Sequence, residues 1–403
     1  MKHITVLLIT VFLITVSLGA ADFGLILDQS AGASGEEEAA FTYEASLIPR
    51  LSALLGDSGD LYLSAAMTYG YDEDSYYVPE LLRTEFSWRF GDAKLSAGRM
   101  HYSAPFTHAA EGLFDGLQLL YDSPAGTFNA GVWYTGLLYK KRANITITGE
   151  DAQSCSDAVD YDNFPDTYFA SRRMVAALGW EHPALAESFS AGFSAIIQAD
   201  FNDRDDRFNS QYLTAKIGIP AGRFMFELGG ALELTQISAP TGDDTGIGLA
   251  GELGAFWTLP AAFPSRLSLS GYFSSGKTED GSLAAFVPIT AKSYGDILEA
   301  APSGISALSL DYTARPGKTF SAGLTSTYFI RGDRGTFAGY PVDEDDKDGY
   351  LLGNEFFARL IWSPVSDLQI NLGGGMFLPS MGNAAPEREP EWRIKLAVVL
   401  ALY

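Results

Sequence analysis

The chain has 403 residues, 47% of them hydrophobic and 13% aromatic, with 42 Gly, one Cys and a formal net charge of −23 at pH 7. So acidic a chain, without any basic cluster, repels phosphate backbones and excludes a nucleic-acid partner. The single Cys155 excludes an intrachain disulfide and a cysteine-based zinc cage, and only four His are present (His3, His101, His108 and His182), so no metal or other cofactor is expected.

The chain opens with a basic Lys2, an apolar core from Ile4 to Leu18, and the small residues Gly19, Ala20 and Ala21. This is the layout of a secretory signal peptide cleaved after Ala20 or Ala21. The core is short for a membrane-spanning helix of about 20 residues, and no later stretch reaches that length without polar interruption. The expected organisation is therefore a signal peptide over 1–21 and a single domain over 22–403, placed in the periplasm, the outer membrane or outside the cell.

From Asp22 onward the hydrophobic period is two. In "LRTEFSWRF", Leu82, Thr84, Phe86, Trp88 and Phe90 share one face, opposite Arg83, Glu85, Ser87 and Arg89. "SFSAGFSAIIQAD" and "SDLQINLGGGMFL" alternate in the same way. In chain order the predicted strands are 22–29, 39–50, 60–71, 80–90, 93–102, 116–122, 127–138, 167–180, 187–200, 208–219, 222–236, 245–258, 265–275, 304–313, 318–331, 350–362, 366–378 and 391–403. Short turns such as "GDA" (91–93), "PAGR" (220–223) and "SPVSD" (363–367) alternate with longer expected loops at 30–38, 71–79, 103–115, 139–166, 201–208, 237–245, 276–303, 332–349 and 379–390. A soluble sandwich also alternates, but it has no reason to segregate its loops by length. A membrane barrel does, because one rim carries turns and the other carries loops. The fold class read here is all-β: a transmembrane antiparallel up-and-down barrel of about eighteen strands, with short periplasmic turns and long extracellular loops. The last stretch, "EWRIKLAVVLALY", is the expected closing strand, with Trp392, Ile394, Leu396, Val398 and Leu400 on its apolar face. An aromatic last residue on such a strand resembles the assembly signal of outer-membrane barrels. That makes the barrel-assembly machinery an expected partner, beside the lipid bilayer and small solutes.

A barrel in lipid must turn its charges inward, since Arg or Lys at the midplane of the outer face costs about 2–4 kcal/mol. The candidate pore-lining residues are Arg50, Arg83, Glu85, Arg89, Arg99, Arg173, Lys216, Arg266, Arg359, Arg393 and Lys395. Facing acids include Glu44, Asp200, Glu227, Glu233, Glu252, Asp311, Glu355 and Asp367. Two readings stand: a mutually neutralising wall, or a lining whose charge pattern selects solutes. The stretch "LSAGRMHYSAPFTHAAEGLFDGLQLLY", Leu95 to Tyr121, is the most distinctive: Gly98-Arg99 ends one strand and Phe114-Asp115-Gly116 begins the next. It resembles the Gly-Arg to Phe-Asp-Gly hairpin of the alginate-export group of outer-membrane porins. The resemblance implies an eighteen-stranded barrel with an Arg-rich lumen that passes an acidic polysaccharide. The mixed signs of the candidates above depart from that pattern. Arg99 also alternates with Leu95 and Ala97, so a bulge near Gly98 is needed to turn it inward. Pro105 to Gly112 either folds into the mouth or lies on the rim.

The function expected is passive diffusion of small polar or charged solutes, acidic saccharides among them, sorted by pore size and lumen charge. The alternative is a structural or adhesive barrel acting through its acidic loops at 36–38, 72–74, 202–207 and 343–349, runs that ordinarily form solvated surface. Ser103, His101 and His108 have no diagnostic nucleophile spacing, so no enzymatic activity is expected.

Overall fold

The computed structural model describes residues 21–36, 38–186, 188–240, 242–278, 282–332 and 349–402. Residues 1–20 of the expected signal peptide, 343–348 of the acidic run at 343–349, and Tyr403 lie outside the described residues. Eighteen strands follow in chain order: β1 (Ala21–Gly35), β2 (Ala39–Leu55), β3 (Gly59–Asp72), β4 (Asp74–Phe90), β5 (Ala93–Ser103), β6 (Glu111–Ser123), β7 (Gly126–Tyr134), β8 (Arg173–Leu185), β9 (Phe189–Asp200), β10 (Arg207–Ala221), β11 (Phe224–Ala239), β12 (Gly242–Thr258), β13 (Ser265–Ser274), β14 (Ile305–Ala314), β15 (Phe320–Arg331), β16 (Leu351–Val365), β17 (Leu368–Leu378) and β18 (Glu391–Leu402). Each pairs antiparallel with its successor, and β18 pairs with β1 from Leu25↔Leu402 to Gly35↔Trp392. The sheet therefore closes into a barrel with no edge. No described helix is long and apolar enough to cross a membrane.

The period-two pattern sorts the two faces. Leu178, Leu213, Leu228, Leu253 and Leu324 are each about 60% exposed or more on the outer face, where only lipid can cover them. Their neighbours one position away, such as Ala177, Thr214 and Glu252, face inward and are shielded. Aromatic rings gather at both ends of this apolar band, as amphipathic rings do at membrane interfaces. Phe224 stacks on Trp257 and on Phe226 near one rim, while Tyr43, Tyr69 and Tyr77 meet near the other.

Two expectations are corrected. The segments 30–38, 71–79 and 237–245 are not long loops. Pairing runs to Gly35↔Ala39, Asp72↔Asp74 and Ala239↔Gly242, so these are tight hairpins on long strands. Hydrophobicity stops where lipid stops, whereas backbone pairing continues into water. In addition, β4 carries a bulge: its register on β3 jumps from Ser64↔Arg83 to Ala65↔Leu81. The extra residue, Leu82, resets the alternation. Leu81 rather than Leu82 then points outward, with 45% exposure, and Glu80 and Val78 turn inward.

Leu213, near mid-height on β10, tests the assignment of faces. Leu213→Arg is expected to lower barrel stability by about 2–4 kcal/mol, measured by denaturant unfolding in lipid vesicles.

Candidate functional site

The inside of the barrel is built by three segments that fold back into it. The first begins where β5 leaves β4. Their pairing covers only Thr84↔Arg99 to Phe90↔Ala93, although β4 starts at Asp74 and β5 runs to Ser103. Gly98 has φ +109° at the point of parting, a conformation that glycine adopts freely. Beyond it the β5–β6 hairpin turns inward, carrying Met100, Tyr102, Phe106 and Phe114 into one apolar cluster with Tyr212 and Phe286. Pro105 to Gly112 thus folds into the mouth. The inner wall makes room for it. A Cβ on Gly192 of β9 would lie 3.1 Å from Pro105, and one on Gly229 of β11 would lie 3.2 Å from the Phe106 ring.

The second segment joins β7 to β8 and holds three short helices, α1 (Lys140–Ala143), α2 (Gly149–Ser156) and α3 (Phe164–Tyr168). Thr148 and Asp151 form a capping box at the start of α2, satisfying two of the free N–H groups there. The same Asp151 reaches the barrel wall: Arg173 of β8 is fully buried and donates to it at 2.6 Å, with Asp200 of β9 at 3.3 Å. Burial pushes the Asp151 carboxyl up. The Arg173 charge, a hydrogen bond from Ser171, the Thr148 N–H and the Arg173 hydrogen bond outweigh it, leaving Asp151 below the usual aspartate value. Arg142 of α1 clasps the inward-turned Glu80 of β4 at 3.2 Å, and the Tyr168 hydroxyl donates to the Pro79 carbonyl at 2.7 Å.

The third segment, described over 275–278 and 282–304, is a strap that starts and ends on neighbouring strands yet reaches β11, the first segment and β16. Its Val287 N–H donates to Glu233 of β11, and its Ile289 N–H to the Ala109 carbonyl of the first loop. Lys292 pairs with Glu111 at 3.0 Å. The His108 Nε2 lies 2.7 Å from the Tyr294 hydroxyl and 3.3 Å from Glu252. The N–H groups of Asp296, Ile297 and Leu298 all donate to Glu355 of β16, at 2.7, 3.1 and 3.0 Å.

The candidate residues divide accordingly. Arg99 is 4% exposed and held by Asp115 and the carbonyls of Leu81 and Leu137. It lies between the inward-turned hairpin and the second segment rather than on an open lumen. Arg173 is likewise enclosed. Arg83 lies 2.5 Å from Glu85, which Lys94 approaches at 3.8 Å. Lys216 bridges Glu227 and Glu252 at 2.9 and 3.2 Å. Arg359 reaches Asp296 at 3.7 Å, and Arg393 reaches Glu299 at 2.5 Å. Arg266 sits over the Phe256 ring at 5.3 Å. Arg89 stands at the periplasmic turn, where its N–H donates to the Ser58 carbonyl. Arg50 lies against Gly24 on the inner face, and Lys395 is exposed there. Ser103 and His108 direct their hydrogen bonds elsewhere, not to each other, and His101 is exposed on its strand. Among the described residues no group of three or more His, Cys, Asp or Glu is arranged to hold a metal. The roles of Asp151, Lys292 and Tyr294 escaped the sequence reading, because loop residues carry no periodic signal of where they return.

No protein-family model and no curated sequence matches the chain. Solved structures do. The outer membrane protein OprD from Pseudomonas aeruginosa matches with a TM-score of 0.62 at 15% identity, covering 96% of this chain and 94% of that one. This chain shares the OprD barrel fold. OccK5 (OpdH) of the same organism matches at 0.61 and 12% identity, over 96% and 99% of the two chains. OccK2 (OpdF), in complex with glucuronate, matches at 0.60 and 14% identity, over 95% and 98%.

Arg173→Met removes the buried cation that Asp151 and Asp200 share, with Arg204 still reaching Asp151 at 2.9 Å, and should cost about 3–5 kcal/mol, read by unfolding of the reconstituted barrel. Because folding lowers the Asp151 pKa, its contribution is complete above the ordinary aspartate value of about 4. That contribution is lost as pH falls through the lower folded value. Proteolysis of the 135–172 segment in the intact barrel should therefore be slow at neutral pH and accelerate in strong acid.

Proposed function

We propose that the protein is an outer-membrane channel of a diderm bacterium through which small polar or charged solutes diffuse, sorted by aperture and by lumen charge. The observation that carries this reading is a closed barrel with an apolar outside that still keeps charged side chains, Glu44 and Lys395 among them, exposed on its inner face. A sealed structural barrel has no use for them. The inward packing of the 104–110, 135–172 and 275–304 segments favours a channel over an adhesin, which needs its loops outside. Export through a cleaved 1–21 signal peptide and insertion by the barrel-assembly machinery through β18 complete the proposal.

The solute class to test first is the sugar acids. The OccK2 structure holds glucuronate, and the Gly98-Arg99 and Phe114-Asp115-Gly116 hairpin resembles that of the alginate-export group. The lining argues for modest rather than strong ion selectivity. Arg83, Lys216, Arg359 and Arg393 each have a carboxylate within 4 Å, so their fields are largely cancelled at the distance of a passing solute.

Purified protein in planar bilayers is expected to give discrete conductance steps, with reversal potentials in asymmetric salt showing less than about tenfold discrimination between small cations and anions. A silent barrel would refute the channel. Glu355→Ala removes the acceptor of three strap N–H groups, and its single-channel conductance should rise and become noisier than that of the unmodified protein.

A further inference from the structure

The Gly98-Arg99 and Asp115-Gly116 stretches stand opposite one another, with Gly98↔Gly116 and Arg99↔Asp115 as facing pairs of β5 and β6. This is where the hairpin leaves the wall on both of its sides. Pairing of β5 with β4 ends at Thr84↔Arg99, and pairing of β6 with β7 ends at Asp115↔Tyr134. A Cβ on Gly98 would strike the Thr84 carbonyl of β4, and one on Gly116 the Val132 carbonyl of β7. Above this point β4 runs on from Arg83 to Asp74 with no strand on that side among the described residues. At a rise of about 3.3 Å per residue and a tilt of about 40°, Thr84 stands roughly 18 Å above the periplasmic turn, inside an apolar band about 25 Å tall. The wall therefore has a gap between β4 and β7 that begins at membrane depth, where an open strand edge is not tolerated.

Side chains fill the gap. Arg99 donates to the Leu81 carbonyl on the bare edge of β4, to the Leu137 carbonyl beyond β7 at 2.8 Å, and to the two oxygens of Asp115 at 2.9 and 2.8 Å. Pro79, further along the same edge, has no N–H to leave unpaired, and its carbonyl takes the Tyr168 hydroxyl. On the outside Leu81 and Leu137 are 45% and 54% exposed, so a residue of the second segment completes the lipid-facing surface. On the inside Val78 and Glu80 are buried, and Arg142 closes over Glu80. A second gap of this kind is closed differently. β12 loses β13 above Ala250, but there the main chain of the strap takes over, with the Ser275 N–H on the Leu249 carbonyl at 2.7 Å and the Ala284 N–H on the Ile247 carbonyl at 2.8 Å.

From these contacts we infer that the Gly98-Arg99 and Asp115-Gly116 pair is a lipid seal. The two glycines let the hairpin leave the wall, and Arg99, held by Asp115, closes the edge that it leaves behind. Together with the second segment it forms a stretch of wall built of side chains, which separates hydrocarbon from the barrel interior between β4 and β7. Arg99 is engaged in the wall and does not select solutes. A guanidinium suits the task, because its fork of donors serves a carboxylate and two carbonyls at once. The seal rests on the membrane barrel alone and not on the channel reading.

Thiol labelling from the lipid phase tests this. In a Cys155→Ser background, Val78→Cys places a thiol just inside the seam, and Thr214→Cys places one on β10, away from it. Each is made with Arg99 kept and with Arg99→Met, and heat-modifiable migration on gels verifies that each barrel is folded. The proteins are reconstituted in vesicles whose phospholipid carries a maleimide near the end of one acyl chain, and adducts are read by intact mass. With Arg99 kept, both thiols should react slowly. Arg99→Met should speed the lipid-borne labelling of Val78→Cys at least about tenfold, since access controls the rate, and leave Thr214→Cys unchanged. Asp115→Asn keeps the shape of the side chain and weakens its hold on Arg99. It should act in the same direction, and it serves where Arg99→Met does not fold. No gain at Val78→Cys in a folded variant, or an equal gain at Thr214→Cys, overturns the seal. So does a shifted reversal potential in Arg99→Met without lipid-borne labelling, which is the behaviour of a pore-lining charge. Because labelling is read by mass, a barrel that conducts nothing but labels as expected defeats the channel reading and leaves the seal standing.

Discussion

In hydrocarbon no water satisfies a backbone N–H or C=O, and each one left unpaired costs several kcal/mol. That single requirement shapes the molecule. It forces eighteen strands to close through the β1–β18 pairing, and closure in turn creates an interior wide enough to need filling. The outward face has no freedom beyond being apolar. Every polar or charged group that the chain carries at membrane depth is consequently driven inside, where it must find water or a partner.

The filling follows from those partners. Carboxylates on the wall receive the backbone of the inserted segments: Glu233 takes Val287, and Glu355 takes three successive N–H groups. Charge pairs fasten the remainder, as Arg173 does with Asp151 and Arg142 with Glu80. Glycine on the inner wall lets the apolar ridge of Pro105 and Phe106 lie flat against strands. Burial of that ridge with Tyr212, Trp133 and Phe286 gives the interior a small apolar core of its own, an arrangement a water-filled pore would not need.

Much of the scaffold was legible in the amino-acid order. Alternation at Phe86, Trp88 and Phe90 marks a lipid face because nothing else covers it, and the strand count follows from turn residues such as Pro220 to Arg223. What hydrophobicity cannot register is pairing above the membrane, which is why the β1–β2, β3–β4 and β11–β12 hairpins look like loops in the sequence. Nor can it register a one-residue bulge, so Leu81 and Leu82 exchange roles. The lumen was the least legible part. Arg99 and Arg173 have the composition of a pore lining, but a segment distant in sequence returns to cover each of them. Alternation places a side chain on a face and is silent about what later lies on that face. The run "TGIGLAGELGAF" on β12, with Gly246 and Gly248 on the inner parity under Ala284 and Phe286, is the kind of signal that points to a covered wall.

The attachment of the strap to Glu355 has a further implication. Its three donors are main-chain groups, so one acid of β16 anchors the backbone at that end, while the side chains of Lys292, Tyr294, Asp296 and Glu299 tie the strap to Glu111, His108, Arg359 and Arg393. The width of the opening and the chemistry that borders it are thereby coupled. Exchanging a residue that a traveller meets on the strap also loosens a tie that holds the doorway in place.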